Sequence, residues 1–327
     1  MRYSAFIERH LSLRPLSGRI YIAAACLFVL FAAAVNYDVR NRQYAAWKAQ
    51  PQITHLDEMP LFSTADAPYF LGIATELKRG RTLQAFDQGR SFPNQVIRKT
   101  LIYDGNFDRW RDAPLLSVVI AMIANDAGRV EIAKAGHWLI PVTAAITTVM
   151  IAFAFGMAGY WLEGALAALG GGLSFSYLSR SAAGRIDTDQ LNLGFFYLLF
   201  GLAFWAGTVK GKLGGIAAIL TMGVGAYLFN WWYGRPELIV MPVIAFIWLR
   251  LVVRRDWRGA VFGAVIVLLL SDIAMPNSLA SSYIQTYFSQ SGFRFPNLLG
   301  TVSEVQSYDI SQIFLWLTGD LWLGWFC

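Results

Sequence analysis

The chain has 327 residues, of which 56% are hydrophobic and only 15% are charged, and its mean hydropathy is +0.45. This composition excludes an ordinary soluble domain of that length and predicts a polytopic membrane protein. The net charge of +6 comes from basic residues scattered between apolar segments, without a nucleic-acid-binding signature, so we expect no nucleic-acid partner.

Apolar runs long enough to cross a bilayer recur along the chain. The first covers about 20–35 behind a long basic leader, which favours an uncleaved transmembrane helix over a signal peptide. Further runs follow at about 138–157, 159–178, 190–208, 213–231, 236–253 and 258–275, with a shorter one from about 312 to the end. The sequence thus predicts an all-α bundle of seven or eight spans.

Short basic connections set the predicted orientation. Four Arg precede the first run, and the turns around 209–214 and 250–258 are also basic, so the positive-inside rule places all three in the cytoplasm. Alternating spans then bring four segments to the opposite face: a loop at 37–137, a turn at 184–189, a turn at 230–237 and a loop at 276–311. The first loop is basic too, but at about 100 residues it exceeds the range of the rule.

These assignments divide the chain into five segments of a multi-pass inner-membrane protein. They are a cytoplasmic N-terminus with the first transmembrane helix (1–36), a large first extracytoplasmic loop (37–137), a transmembrane bundle (138–275), a second extracytoplasmic loop (276–311) and the start of a further transmembrane helix (312–327).

Four carboxylates lie in the segments predicted for the extracytoplasmic face. Asp66 directly precedes a helix start marked by Pro68, Asp187 and Asp189 lie where one span ends and the next begins, and Glu304 lies in the last outer loop. Taken singly, each acid is better explained as a helix cap or as a residue solvated at the interface. As a set, they predict a site for a hard divalent cation such as Mg²⁺ or Mn²⁺, which takes oxygen ligands.

The acids stand in motifs that resemble the oligosaccharyltransferase family, meaning the bacterial single-subunit enzymes and the catalytic subunit of the eukaryotic complex. The similar stretches are TADAPYFLGIATELKRG at 64–80, SYLSRSAAGRIDTDQLNLGFF at 176–196, NWWYGRPELI at 230–239 and TVSEVQSYDISQIF at 301–314. They occur in the family's order along nearly the whole chain. The resemblance implies a C-type glycosyltransferase fold.

The resemblance also implies an activity, which is transfer of an oligosaccharide from a lipid pyrophosphate carrier to the Asn amide of Asn-x-Ser/Thr acceptors. In this N-glycosylation reaction Asp66 and Glu304 would hold the metal and face the acceptor amide, while Asp187 and Asp189 would complete the coordination of Mn²⁺ or Mg²⁺. The expected partners are a lipid-linked oligosaccharide, an acceptor polypeptide and membrane lipid.

Two further groups of residues each have two interpretations. Arg180 and Arg185 either bind the pyrophosphate of the carrier or anchor helix ends at lipid headgroups. Trp231, Trp232 and Tyr233 are typical of an interfacial aromatic belt, with a path for the carrier lipid as the alternative. His137 and the other two histidines stand apart in sequence and indicate no metal site.

The chain departs from the family in its C-terminal region. The later spans and the soluble domain with a Trp-Trp-Asp motif have no counterpart in it, so we expect these 327 residues alone to bind metal but to transfer little glycan. Two alternatives remain open, namely another C-type glycosyltransferase that uses a lipid-phosphate sugar, and a truncated, inactive remnant of the family.

Overall fold

The computed structural model describes residues 18–64, 66–80, 113–233 and 237–271, which all belong to one compact unit. The segment with Glu304 and the predicted run from 312 lie outside the described residues. The described part is helical apart from a two-residue antiparallel ladder, in which β1 (His55–Leu56) pairs with β2 (Met59–Pro60).

Eleven α-helices and one π-helical segment follow each other within the described residues. They are α1 (Gly18–Lys48), α2 (Pro51–Thr54), α3 (Ala67–Lys78), α4 (Leu115–Ile123), α5 (Arg129–Met157), α6 (Trp161–Leu173), α7 (Phe175–Arg180), α8 (Asp189–Thr208), α9 (Lys212–Tyr233), α10 (Glu237–Leu249), the π segment (Arg250–Arg254) and α11 (Trp257–Leu270).

Four of these helices are long and apolar enough to cross a membrane. They are α1 from Ile20 onwards, α5, α8 and α9, and each covers a run that hydropathy predicts as a span. A helix suits lipid because it satisfies its own backbone hydrogen bonds. By helix length and composition, the chain is an all-helical membrane protein.

Helix boundaries differ from the predicted spans at several places. The helix α1 continues to Lys48, well beyond the end expected near 36, and α5 begins at Arg129 inside the predicted first loop. The run at 159–178 is not one helix, because Ser174 adopts an extended backbone (ψ 142°) between α6 and α7 and its hydroxyl accepts a hydrogen bond from Tyr177 N. The runs at 236–253 and 258–275 form the shorter α10 and α11.

The helix α5 lies at the centre of the packing and contacts α1, α6 and α8. On the other side of α8 lie α9 and α10, and α9 in turn packs on α11. A side chain at Gly201 of α8 would place its Cβ 2.5 Å from the Cα of Ala154 in α5. Small residues of this kind allow close backbone approach between membrane helices.

A buried arginine ties α1 to the break between α6 and α7. Arg40 is fully buried, and its Nη2 donates to the carbonyl of Gly172 at 2.7 Å and to Ser181 Oγ at 2.9 Å. Its Nη1 donates to Asn36 Oδ1 at 2.9 Å, and its guanidinium lies over the Tyr177 ring at 5.1 Å. Neutral oxygens and an aromatic face therefore solvate this charge.

Candidate functional site

Asp66 lies at the start of α3, as its position before Pro68 predicts. It occupies the N-cap position, but its side chain makes no capping hydrogen bond, and the residue is exposed. A carboxylate at a helix N-terminus usually accepts a backbone N–H. The capping interpretation of this acid therefore fails, while solvation of the exposed carboxylate and binding of a ligand both fit the structure.

Asp187 and Asp189 lie on the turn that connects α7 to α8. Gly184 opens this turn with a positive φ of 80°, a conformation that favours glycine, and Asp189 is the first residue of α8. The turn is anchored on α5, since the Ile186 side chain occupies the space beside Gly136. Asp187 and Asp189 are thus held at a helix N-terminus, where negative charge is stabilised.

The segment that leads to Asp66 contacts this acidic turn directly. Ser63 N donates to the carbonyl of Gly184 at 2.9 Å, and Ser63 Oγ donates to the carbonyl of Ala183 at 3.5 Å. These partners are more than 100 residues apart in sequence. Of the four predicted acids, three are therefore brought to one end of the described bundle, and Glu304 lies outside the described residues.

The charges at this site act on one another. Asp187 is buried, and its pKa is raised above the ordinary 3.8, first by burial and then by the carboxylates of Asp189 and Asp66. Hydrogen bonding from Thr188 N to Asp187 Oδ1 at 2.6 Å and the charge of Arg185 oppose this rise. Raised pKa values of this origin are common at functional sites.

Both predicted arginines contact the acidic turn. Arg180 Nη1 lies 2.7 Å from Asp189 Oδ2, and Arg185 Nη2 lies 3.4 Å from the same oxygen and 3.8 Å from Asp187 Oδ2. Arg180 is exposed, and Arg185 is partly buried. Two guanidinium groups therefore stand beside the acids and pair with their carboxylates.

The sequence analysis did not predict the contacts of two residues that support the acidic turn, and the first of these residues is Gln190. Gln190 is buried, and its side-chain Oε1 accepts a hydrogen bond from Thr143 Oγ1 at 2.9 Å. Its Nε2 donates to the Arg185 carbonyl, and its backbone carbonyl accepts from Tyr177 Oη at 2.6 Å. The sequence offers two signs of this role, the amide side chain and the neighbouring acids. A hydrogen-bond partner on another helix, however, leaves no pattern in the local sequence.

Trp232 is the second, and it corrects the prediction of an aromatic belt. This residue is only 3% exposed, and its Nε1 donates to the carbonyl of Thr188 at 2.7 Å. Trp231 is half-buried, and its Nε1 donates to the carbonyl of Ala113 at 2.8 Å. An interfacial belt residue faces lipid headgroups. Here the two indoles instead support loop backbones, and one of these carbonyls lies between Asp187 and Asp189.

The donor chemistry of the acidic turn suits a hard cation. A divalent ion would relieve the repulsion from Asp189 and Asp66, which comes second to burial in raising the pKa of Asp187. The described acids do not form a complete set of metal ligands, however. Among the residues that the structure describes, no three His, Cys, Asp or Glu side chains are grouped closely enough to hold a metal. Asp66, Asp187 and Asp189 therefore remain predicted ligands, together with Glu304.

Comparison with known families identifies no relative. The sequence matches no protein-family model and no curated protein. The fold and the site define an all-helical membrane protein with an acidic, arginine-lined turn at one end. Assignment to a particular family depends on the sequence motifs and is therefore a proposal.

Proposed function

We propose that the chain carries the acidic part of an oligosaccharyltransferase site on a bundle of the C-type glycosyltransferase fold. The single observation that supports this best is the contact between the Asp66 segment and the Asp187–Asp189 turn, through Ser63 N and the Gly184 carbonyl at 2.9 Å. The proposed setting is an inner membrane, with the N-terminus in the cytoplasm and the site on the extracytoplasmic face.

In the proposed reaction, the acceptor amide nitrogen forms a bond to the anomeric carbon of the first sugar. The bond from that carbon to the lipid pyrophosphate breaks, its electron pair leaves with the pyrophosphate, and the proton of the amide passes to a carboxylate of the site. Amide nitrogen is a poor nucleophile because its lone pair is delocalised. A carboxylate that accepts the amide N–H bonds favours a twisted amide with a freer lone pair. Asp66, which is exposed and makes no capping hydrogen bond, would take this role together with Glu304.

The arginines serve the leaving group in this proposal. Arg180 and Arg185 exchange their contacts with Asp189 for the oxygens of the lipid pyrophosphate, to which guanidinium groups can donate two parallel hydrogen bonds. Asp66, Asp187, Asp189 and Glu304 would hold Mn²⁺ or Mg²⁺. When bound, the ion would supply positive charge that stabilises the departing pyrophosphate.

The test is a transfer assay with a fluorescent Asn-x-Thr peptide, Mn²⁺ and a polyprenyl pyrophosphate oligosaccharide. We expect the 327 residues alone to transfer little, and a chain extended by a family-type C-terminal region with its Trp-Trp-Asp motif to transfer the glycan. Remote binding energy of that kind orients the reacting amide. Asp66→Ala in the extended chain should abolish transfer, and Asp57→Asn, a change of an exposed acid, should not.

Two outcomes overturn the proposal in favour of its alternatives. Transfer only from a polyprenyl monophosphate sugar would identify a different C-type glycosyltransferase. Absence of transfer by a folded, extended chain with either donor would identify an inactive remnant. Continued transfer by the Asp66→Ala variant would remove the mechanism itself.

A further inference from the structure

His137 is a fully buried imidazole in α5 that contacts the segment leading to Asp66. Its Nε2 lies 3.2 Å from the carbonyl oxygen of Leu61. Because a carbonyl only accepts, Nε2 carries the hydrogen and donates it. Leu61 N in turn donates to the carbonyl of Thr54 at 2.8 Å, so both backbone groups of Leu61 are paired. The segment is therefore fixed at its beginning, five residues before Asp66.

Aromatic rings surround this imidazole. Tyr44 of α1 stacks on it with centroids 5.1 Å apart, and the rings of Phe62 and Trp47 lie at 6.0 Å and 6.3 Å. Trp47 reaches the second acidic segment as well, because a Cβ at Gly184 would lie 2.9 Å from its Cη2. One group of rings, Tyr44, Trp47, Phe62 and His137, thus contacts both acid-bearing segments.

Packing alone does not explain a histidine at this position. A phenylalanine would fill a similar volume without burying two ring nitrogens, and burial of a polar group is unfavourable unless it is hydrogen-bonded. The one described partner of the imidazole nitrogens is the Leu61 carbonyl, and Nδ1 has none among the described residues. The specific contribution of histidine is therefore its N–H bond to the Asp66 segment.

We propose that His137 is a positioning residue, which holds the Leu61–Asp66 segment against the Gly184 turn so that Asp66 stays beside Asp187 and Asp189. Its importance for transfer rests on the function proposed above, but the positioning itself is measurable without metal or substrate. His137 touches no reacting group. It acts through the backbone of Leu61 and through the rings that contact both segments.

Disulfide trapping tests this proposal. In a Cys26→Ala, Cys327→Ala background, Ser63→Cys and Ala183→Cys place two thiols across the contact between the segments, where disulfide formation depends closely on distance. We expect rapid oxidation in this parent protein. His137→Phe keeps the ring but removes the N–H and should slow oxidation by about three- to tenfold, which corresponds to loss of one hydrogen bond. His137→Gln retains a donor and should restore most of the rate.

Thr148→Val is the matched control. It removes a buried hydroxyl from the same helix, but that hydroxyl donates only to the Ala144 carbonyl within α5, at 2.9 Å. Its oxidation rate should equal that of the parent. His137→Leu repeats the test with a second side chain that has no donor, in case the Phe variant does not fold. In the transfer assay of the extended chain, the Phe variant should lower kcat and the Gln variant should restore it.

The outcomes separate this proposal from the proposed function. Equal oxidation rates in the parent and in both donor-free variants would overturn the positioning role. A rate in Thr148→Val as low as in His137→Phe would overturn it too, by assigning the effect to general helix packing. Failure of the parent to form the disulfide would refute the contact between the segments. Normal trapping behaviour without any transfer would instead refute the oligosaccharyltransferase assignment alone.

Discussion

Replacement of Gly184 by Ala adds a methyl group at the point where the two acid-bearing segments meet. The new Cβ would lie 2.9 Å from Trp47 Cη2 and 3.3 Å from Ser63 N, on a backbone with φ of 80°. Two costs therefore act together. One is the unfavourable left-handed backbone, and the other is the displacement of Trp47 or of the Ser63 segment.

The size of the effect follows from these two costs. A left-handed conformation costs an L-residue about 1–2 kcal/mol, and overpacking by one methyl group adds about 1–3 kcal/mol, so we expect a loss of about 2–5 kcal/mol. Trp47 cannot move freely, because its Nε1 donates to the Thr54 carbonyl at 3.3 Å. A shift of the Ser63 segment would also move Asp66 away from Asp187, and it would weaken the Mn²⁺ binding that the proposed function requires.

Gly80→Ala provides the matched comparison. Gly80 also has a positive φ, of 66°, but no described residue lies within 4 Å of the position that a Cβ would take there, so we expect the backbone cost of about 1–2 kcal/mol alone. Denaturant unfolding in detergent measures both free energies of unfolding, and Mn²⁺ titration followed by electron paramagnetic resonance measures affinity. Equal destabilisation of the two variants, with unchanged Mn²⁺ affinity, would refute the close contact at Gly184.

Three further predictions concern the same unit. Burial, and then the charges of Asp189 and Asp66, raise the pKa of Asp187 in the folded protein above the ordinary 3.8. Without metal, the folded protein therefore loses stability as the pH rises from 3.8 through that raised pKa. The Asp187→Asn variant should be more stable than the parent at neutral pH in EDTA. Melting curves from about pH 4 to about pH 8 measure this, and a variant that is less stable throughout contradicts it. Trp232→Phe should cost about 0.5–1.5 kcal/mol of unfolding free energy, since the buried Thr188 carbonyl loses one of its two donors and keeps Leu191 N at 3.2 Å. Trp248→Phe, at a side chain 58% exposed, should change little. In a Cys26→Ala, Cys327→Ala background, a single cysteine at the exposed position Ser179 should react with an impermeant thiol reagent in intact spheroplasts, and one at the exposed position Lys212 should react only after lysis. Labelling of the Lys212 position in intact spheroplasts would refute the predicted orientation.

The long helices could be predicted because lipid imposes a simple condition on sequence. A spanning segment must be apolar and must satisfy its own backbone, which makes α5, α8 and α9 visible as hydropathy maxima. The break at Ser174 is less visible, because serine is tolerated in membrane helices. The preceding glycines at 170–172 were the available sign, since glycine weakens a helix interior.

The candidate acids were visible for a similar reason, because charged residues at the ends of apolar runs stand out, and the structure brings Asp66 close to the turn of Asp187 and Asp189. Their role as a site stays a prediction. The residues that position them did not stand out. Gln190, Trp232 and His137 each act through a hydrogen bond to a group far away in sequence, on an element that only folding brings close. The pattern of a single sequence shows on which face of its own helix a residue lies. It does not show which carbonyl from a distant segment will face that residue after folding.

The bonding of Arg40 has a consequence for biogenesis. Its guanidinium donates to the Gly172 carbonyl and to Ser181, which are made by the ribosome more than 130 residues later. Until then α1 enters the membrane with an arginine whose final ligands do not yet exist. The contacts of α1 with α6 and with Ser181 can therefore form only after both have been synthesised, so the packing of α1 at Arg40 is completed late in the synthesis of the described bundle.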